Sequence, residues 1–287
     1  MLLSKLKLID AKLLKDNEFE FLSPLVEIQK YATLSFINDI KYLEDYKKNP
    51  TITCIICPKN LVKEFLNENI GIIISENPKK TFYEIYKLLG EENKNMLKEN
   101  IIDKAAKIHP TAIISENNVI IGKNVTIGPN CLIGENSIIE DNVIIGPNCL
   151  IGVDSFTFEG DTKIVAQNGV KIKTNSILLG GIIIERGVYS STIIENNVKI
   201  GYNSVVEHDS RIGKETLVCA NVTITGRVKI GEKCYLGPGV VIRNGLILED
   251  KSRANMGAIV TKNVNSGEQV SGNFAIKHEK HIKKIKN

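Results

Sequence analysis

From Ile121 to Leu248 an aliphatic side chain returns every sixth residue, and a six-residue phase held this long leaves few folds open. The series runs Ile121, Ile127, Ile133, Ile139, Ile145, Ile151, then Ile172, Leu178, Ile184, then Ile194, Ile200, Val206, Ile212, Val218, Ile224, Ile230, Leu236, Ile242 and Leu248. Gly often follows, and the fourth residue on is small or β-branched, as in Val125, Cys131, Ser137, Val143 and Cys149. An α-helix repeats its faces every ~3.6 residues and an alternating strand every ~2, so neither keeps this phase. A hexapeptide period specifies a parallel β-helix, each repeat one short strand and a turn. Three hexads make a triangular coil with the aliphatics inside. Spacing does not give the hand, and the general crossover rule favours a right-handed one.

The phase breaks twice. Ile151 to Ile172 is 21 residues, read as three more than a coil, and Ile184 to Ile194 is ten, four more than a hexad. Chain expelled from a rigid solenoid is where binding residues collect. Residues 1–104 show no hexads and are expected to form a small α/β domain. Its strands are expected at 52–57 and 70–74, and its helices at 36–47, 61–67 and 78–89. The solenoid should fill 105–264, leaving a basic tail at 265–287 whose last eleven residues hold five Lys and two His. That tail suits either an anionic partner or a solvated end.

Of the six cysteines, Cys54 and Cys57 lie in an apolar strand sequence with no second pair near, so core packing is expected rather than a metal or redox site. Cys131 and Cys149, one coil apart, should stack. A charged fraction of 24% and hydrophobic fraction of 43% fit a soluble globular protein. No apolar run approaches the ~18–20 residues of a membrane span, and no signal-peptide core opens the chain. A cytoplasmic protein without stable membrane insertion is expected. Interleaved basic and aromatic residues are missing, as are a P-loop, zinc-ligand spacing and a nucleophile elbow, so neither nucleic acid nor metal is expected.

The chain has four histidines, and only His208 lies well inside the repeats. His109 stands at their entry, and His278 and His281 are in the tail. His208 falls two residues after an inward Val206, at a corner of the triangle, between Glu207 and Asp209. Either carboxylate could orient the ring and raise its basicity, making it a general base. One coil on is Gly226, whose N–H would be open to an oxyanion. A surface turn histidine would look the same in sequence.

These residues resemble the hexapeptide-repeat, left-handed β-helix acyltransferases, in particular the nucleotide-sugar N-acyltransferases. Residues 34–42 resemble the uridine-binding domain of the branch that N-acylates UDP-3-O-acylglucosamine for lipid A, where two aromatic rings sandwich the uracil. The resemblance assigns those roles to Phe36 and Tyr42. It assigns a substrate loop to Asp154, Phe156 and Phe158, within Gly152-Val-Asp-Ser-Phe-Thr-Phe158, and the catalytic turn to Glu207-His208-Asp209, with Gly226 at the oxyanion. The segment from Gly257 to Lys262, with Phe274 beyond it, is similar to the closing region of coenzyme A-dependent members. Asn244-Gly245-Leu246 carries no counterpart of the lipid A enzymes' second histidine, and no long C-terminal helical extension follows.

The resemblance therefore implies a mainly β protein, a left-handed parallel β-helix after a small α/β domain. The expected activity is N-acetylation, by acetyl-CoA, of the amine of a UDP-linked deoxyamino sugar in glycan or lipopolysaccharide biosynthesis. His208 would be the base, with coenzyme A held by Gly226, Gly257 and Lys262. A homotrimer is implied. The alternatives are a lipid A-type N-acyltransferase drawing a 3-hydroxyacyl group from acyl carrier protein, and a sugar O-acetyltransferase.

Overall fold

The computed structural model describes residues 1–6, 8, 10–94, 98–272 and 277. The tail cations beyond Lys277, His278 and His281 among them, and Phe274 lie outside the described residues. The chain forms two compact units, 1–96 with 156–165, and 97–155 with 166–287. The division falls at 96/97 rather than 104/105, and the first excursion from the repeats clusters with the first unit.

That unit is built on a five-stranded sheet in the order Ala11–Lys15, Gly71–Ser75, Ile52–Cys57, Thr33–Phe36, Phe21–Leu22, parallel except for Ala11–Lys15. The inner strands are covered on both faces, which is why they read as continuous apolar runs with no alternation. Helix Pro78–Lys94 begins at Asn77, whose Oδ1 accepts the Lys80 N–H at 3.1 Å, and it buries Phe82 and Ile85. The helix expected over 36–47 is corrected. Phe36 ends a strand paired to Ile52–Cys57, and helical geometry starts only at the turn Ile40–Tyr42, where Asp39 accepts the Lys41 N–H. The helix expected over 61–67 is the 3-10 segment Lys59–Glu64.

In the second unit two-residue strands stack into three parallel sheets of nine, eight and eight strands. Each strand turns one residue out and one in. Ile121, Ile127, Ile133, Ile200 and Ile224 are all at most 1% exposed. Each such burial stabilises by about 1.5–3 kcal/mol relative to exposure. At most corners one residue takes a left-handed backbone, most often Asn, as at Asn124 (φ 58°) and Asn203 (φ 57°). Asn tolerates that region because its short polar side chain bonds locally. Small hydroxyl residues tie adjacent coils together: Ser210 Oγ donates to the Thr225 carbonyl at 3.0 Å and accepts the Val228 N–H at 3.2 Å.

Strands normally pair eighteen residues apart, as in Ile127↔Ile145. Ile139↔Ile172 and Ile145↔Leu178 are 33 apart, so fifteen residues leave the coil, not the three expected. Leu178↔Ile200 and Ile184↔Val206 are 22 apart, which confirms the expected excursion of four.

Candidate functional site

Val206 fills the interior, and the next four residues turn the chain into the strand Arg211–Ile212. Asp209 takes the left-handed corner position at φ 58°. In that conformation its carboxylate folds back on the preceding ring, and His208 Nδ1 stands 2.8 Å from Asp209 Oδ2. An ionised carboxylate only accepts, so Nδ1 carries the proton and Nε2 is the free lone pair. The other oxygen, Oδ1, accepts the backbone N–H of Tyr189 at 2.8 Å and of Ser190 at 2.7 Å. Both donors belong to the four-residue excursion. The Asp209 side chain is fully buried and that of His208 is 14% exposed.

The two acids flanking His208 are thereby separated. Asp209 orients the ring. Glu207 Oε2 instead accepts the Gly226 N–H at 2.9 Å, so that N–H is not open as expected. The His208 N–H donates to Glu185 Oε2 at 3.2 Å, a contact with an acid the sequence did not single out. Glu185, Tyr189 and Ser190 were missed because their role depends on the path of the second phase break. The break was visible, but its path was not.

Val206, Ile224, Ile242 and Val260 stack in register, so the residues two further on, His208, Gly226, Asn244 and Lys262, form a column on one edge. A Cβ on Gly226 would stand 2.7 Å from His208 Nε2 and 3.1 Å from Asn244 Nδ2. The imidazole edge therefore lies against a bare backbone. At ~4.8 Å per strand, Lys262 is about 14 Å from His208 along this edge. Gly257 (φ 70°) occupies the preceding corner of the same coil and not this column.

The remaining expected residues lie elsewhere. Asp154 Oδ1 accepts the N–H of Ala166 at 2.9 Å and of Ser155 at 3.1 Å, closing the base of the long excursion, and Arg186 Nε lies 3.7 Å from it. In the first unit, Phe156 is 85% exposed and its ring is 5.2 Å from that of Phe158, on a hairpin of Phe158–Glu159 with Thr162–Lys163. Phe36 tilts against Phe82 at 5.0 Å, while Tyr42 is exposed with the Lys41 ammonium 5.0 Å over its ring. Phe36 thus spends one face on the core. Among the described residues no group of His, Cys, Asp and Glu could hold a metal ion, and no helix is long and apolar enough to cross a membrane.

Comparison with known proteins bears on this arrangement. A model of the bacterial transferase hexapeptide matches residues 118–152, 191–226 and 209–244, and one of the hexapeptide repeat of succinyl-transferase matches 142–186 and 227–262. The chain is 30% identical over 110 residues to the UDP-3-O-acylglucosamine N-acyltransferase of Bordetella parapertussis, covering 38% of this chain and 30% of that protein. It is 28% identical over 127 residues to the enzyme of that name from Hahella chejuensis, covering 43% and 36%. The match thus spans about a third of the length of these curated relatives. Among solved structures, the UDP-N-acetylglucosamine acyltransferase of Campylobacter jejuni superposes with a TM-score of 0.54 at 19% identity, covering 61% of this chain and 70% of that one. That likeness is to the fold, and the left-handed parallel β-helix after a small α/β unit stands.

These findings overturn the expected coenzyme A-dependent N-acetylation, because the relatives bear the name of the lipid A-type N-acyltransferase weighed as its alternative. The assignment of Gly226, Gly257 and Lys262 to coenzyme A falls with it. Gly226 offers no open N–H, and Gly257 stands on a different edge. The repeats, the triangular coil and the matched models agree, and residues 118–186 and 191–262 are built of the hexapeptide repeats found in bacterial transferases.

Proposed function

We propose that the protein transfers an acyl group from a carrier-protein thioester to the amine of a UDP-linked, 3-O-acylated glucosamine. The observation that carries this reading is the His208–Asp209 pair, fixed by the Tyr189 and Ser190 N–H groups and set edge-on against Gly226. The names of the relatives supply the substrate class.

The amine nitrogen attacks the thioester carbonyl carbon, and the carbonyl electron pair moves onto oxygen. His208 Nε2 takes the amine proton as the new C–N bond forms. The oxyanion is held by a backbone N–H on the Gly226 edge, then collapses and expels the thiolate, which receives the proton from His208. An amide and a thiol leave. Asp209 holds the ring in the tautomer that leaves Nε2 free and balances the imidazolium as it forms. Lys262, in the same column, would meet an anionic part of the donor. Phe36 and Tyr42 would hold the uracil, with Tyr42 presenting the more exposed face, and the hairpin rings of Phe156 and Phe158 would contact substrate.

The protein would act as a homotrimer. Along one sheet the outward residues Ile113, Leu132, Leu150, Ile183, Val205 and Val241 are apolar, interrupted by Thr223 between the last two, and Ile113 is 65% exposed. A second copy would cover this stripe.

The test is direct. Purified protein is given a UDP-sugar amine and a 3-hydroxyacyl carrier thioester, and thiol release and the mass of the sugar product are followed. Amide formation with the carrier donor, and little with acetyl-CoA, is the expected result. No product from any acyl thioester would end the reading.

A further inference from the structure

Around this solenoid the second hexad position is Gly more often than any other residue, as at Gly122, Gly128, Gly201 and Gly231, and on the His208 edge consecutive coils place Glu185 and Glu207 there. Each carboxylate reaches one coil on and caps a turn N–H: Glu185 that of His208, Glu207 that of Gly226. The second cap is the unusual one. Glu207 Oε2 is an anionic oxygen 2.9 Å from the one N–H that, beside His208 Nε2, an acyl oxyanion would need. The carboxylate shows that this donor takes an anionic oxygen, and it fills the place. A neutral thioester carbonyl is the weaker acceptor, because hydrogen bonds to ionised groups are roughly twice as strong as neutral ones.

We infer that Glu207 is a latch on the acyl-transfer site, released by the incoming sugar amine. This rests on the acyl-transfer reading above. An amine entering beside His208 in its ammonium form pairs with the Glu207 carboxylate and draws it off Gly226, then gives that carboxylate one proton and attacks as the neutral amine, its second proton going to His208 Nε2. Only then does the N–H become available to the thioester oxygen. Without the amine the donor stays covered, and water, the competing nucleophile, finds no oxyanion partner. Glu207 is thus a positioning residue that makes the reaction wait for its acceptor.

The readout is hydrolysis of the acyl carrier thioester with no sugar present. In that reaction water adds to the carbonyl carbon and the thiolate leaves, picking up the proton through His208, so a carboxylic acid and a thiol form. Glu207→Ala is expected to raise this acceptor-free hydrolysis about ten-fold, the factor that loss of one charge-assisted hydrogen bond corresponds to. Glu207→Gln, which keeps a weaker acceptor, should fall between. A staple that merely held two coils together would instead lower the melting temperature and every rate alike. Hydrolysis within two-fold of the wild type, or below it, in a variant with native circular dichroism would overturn the latch. The contact itself is read independently of activity. In glycine-labelled protein the Gly226 amide resonance should move upfield in the Glu207→Ala variant, and an unmoved signal also overturns it. If the wild type acylates no sugar, the transfer reading fails, while the amide signal still reports whether Glu207 holds Gly226.

Discussion

Asp209 meets three demands with one side chain: it turns the corner at φ 58°, binds two N–H groups through Oδ1, and fixes His208 through Oδ2. Asn at this position should keep the first two, since Asn tolerates the left-handed region and retains an amide oxygen for Tyr189 and Ser190. The amide NH₂ would then face Nδ1 and force the opposite tautomer, putting the proton on Nε2. Asp209→Asn is therefore expected to melt close to the wild type but lose about 10²–10⁴-fold in kcat. Steady-state kinetics beside a thermal melt check both halves, and a variant with near-native turnover would remove the dyad from the mechanism. His208 itself was legible in the sequence as the histidine inside the repeats, flanked by acids. Which acid serves it was not, because that depends on the turn conformation: the left-handed residue folds its side chain back on the ring, and the one before the ring points along the edge to Gly226.

At the scale of elements, periodicity read what periodicity encodes. The hexad phase located the solenoid strands, and the ten-residue step from Ile184 to Ile194 gave the small excursion correctly. The long excursion was misjudged because residues between Ile151 and Ile172 were measured against a whole coil, whereas Ile172 lies on the very next face. In the first unit Thr33–Phe36 was missed, since a four-residue strand buried on both faces carries no alternation to see. The strand Ile52–Cys57 was read correctly as core, and burial pushes the thiols of Cys54 and Cys57 up to about 11. An unfolded thiol titrates near ~8.5. Below that value both states keep the proton and the stability from these groups is whole. As pH rises through it the unfolded chain loses protons that the fold retains, and the contribution is lost progressively up to about 11. The urea midpoint is accordingly expected to fall between pH 9 and 11, and to fall less steeply in Cys57→Val. Equal slopes for the two proteins would exclude these thiols as the cause.

At the scale of the molecule the three solenoid faces are chemically unequal. Two present cations outward, Lys171, Arg211 and Lys229 on one and Lys107, Lys199 and Arg253 on the other. The third presents the aliphatic column, in which Leu150 and Val241 are each 37% exposed. Strand cores are already filled by the inward residues, so this column does nothing for the coil itself and awaits another surface. Its member Val205 stands beside Val206 and three residues before His208, which places the reactive edge at the margin of the apolar face. A neighbouring copy packed there would wall one side of the site and exclude water from it. The chain mass is 31.8 kDa, and light scattering on the wild type is expected to give about three times that. Leu150→Lys with Val205→Lys should return the mass to that of one chain and leave far-ultraviolet circular dichroism unchanged, because both side chains point out of the coil. Turnover should fall with the mass. A double variant that is monomeric yet fully active would show that one chain builds the whole site, and a wild type already at single-chain mass would leave the apolar column to some other partner.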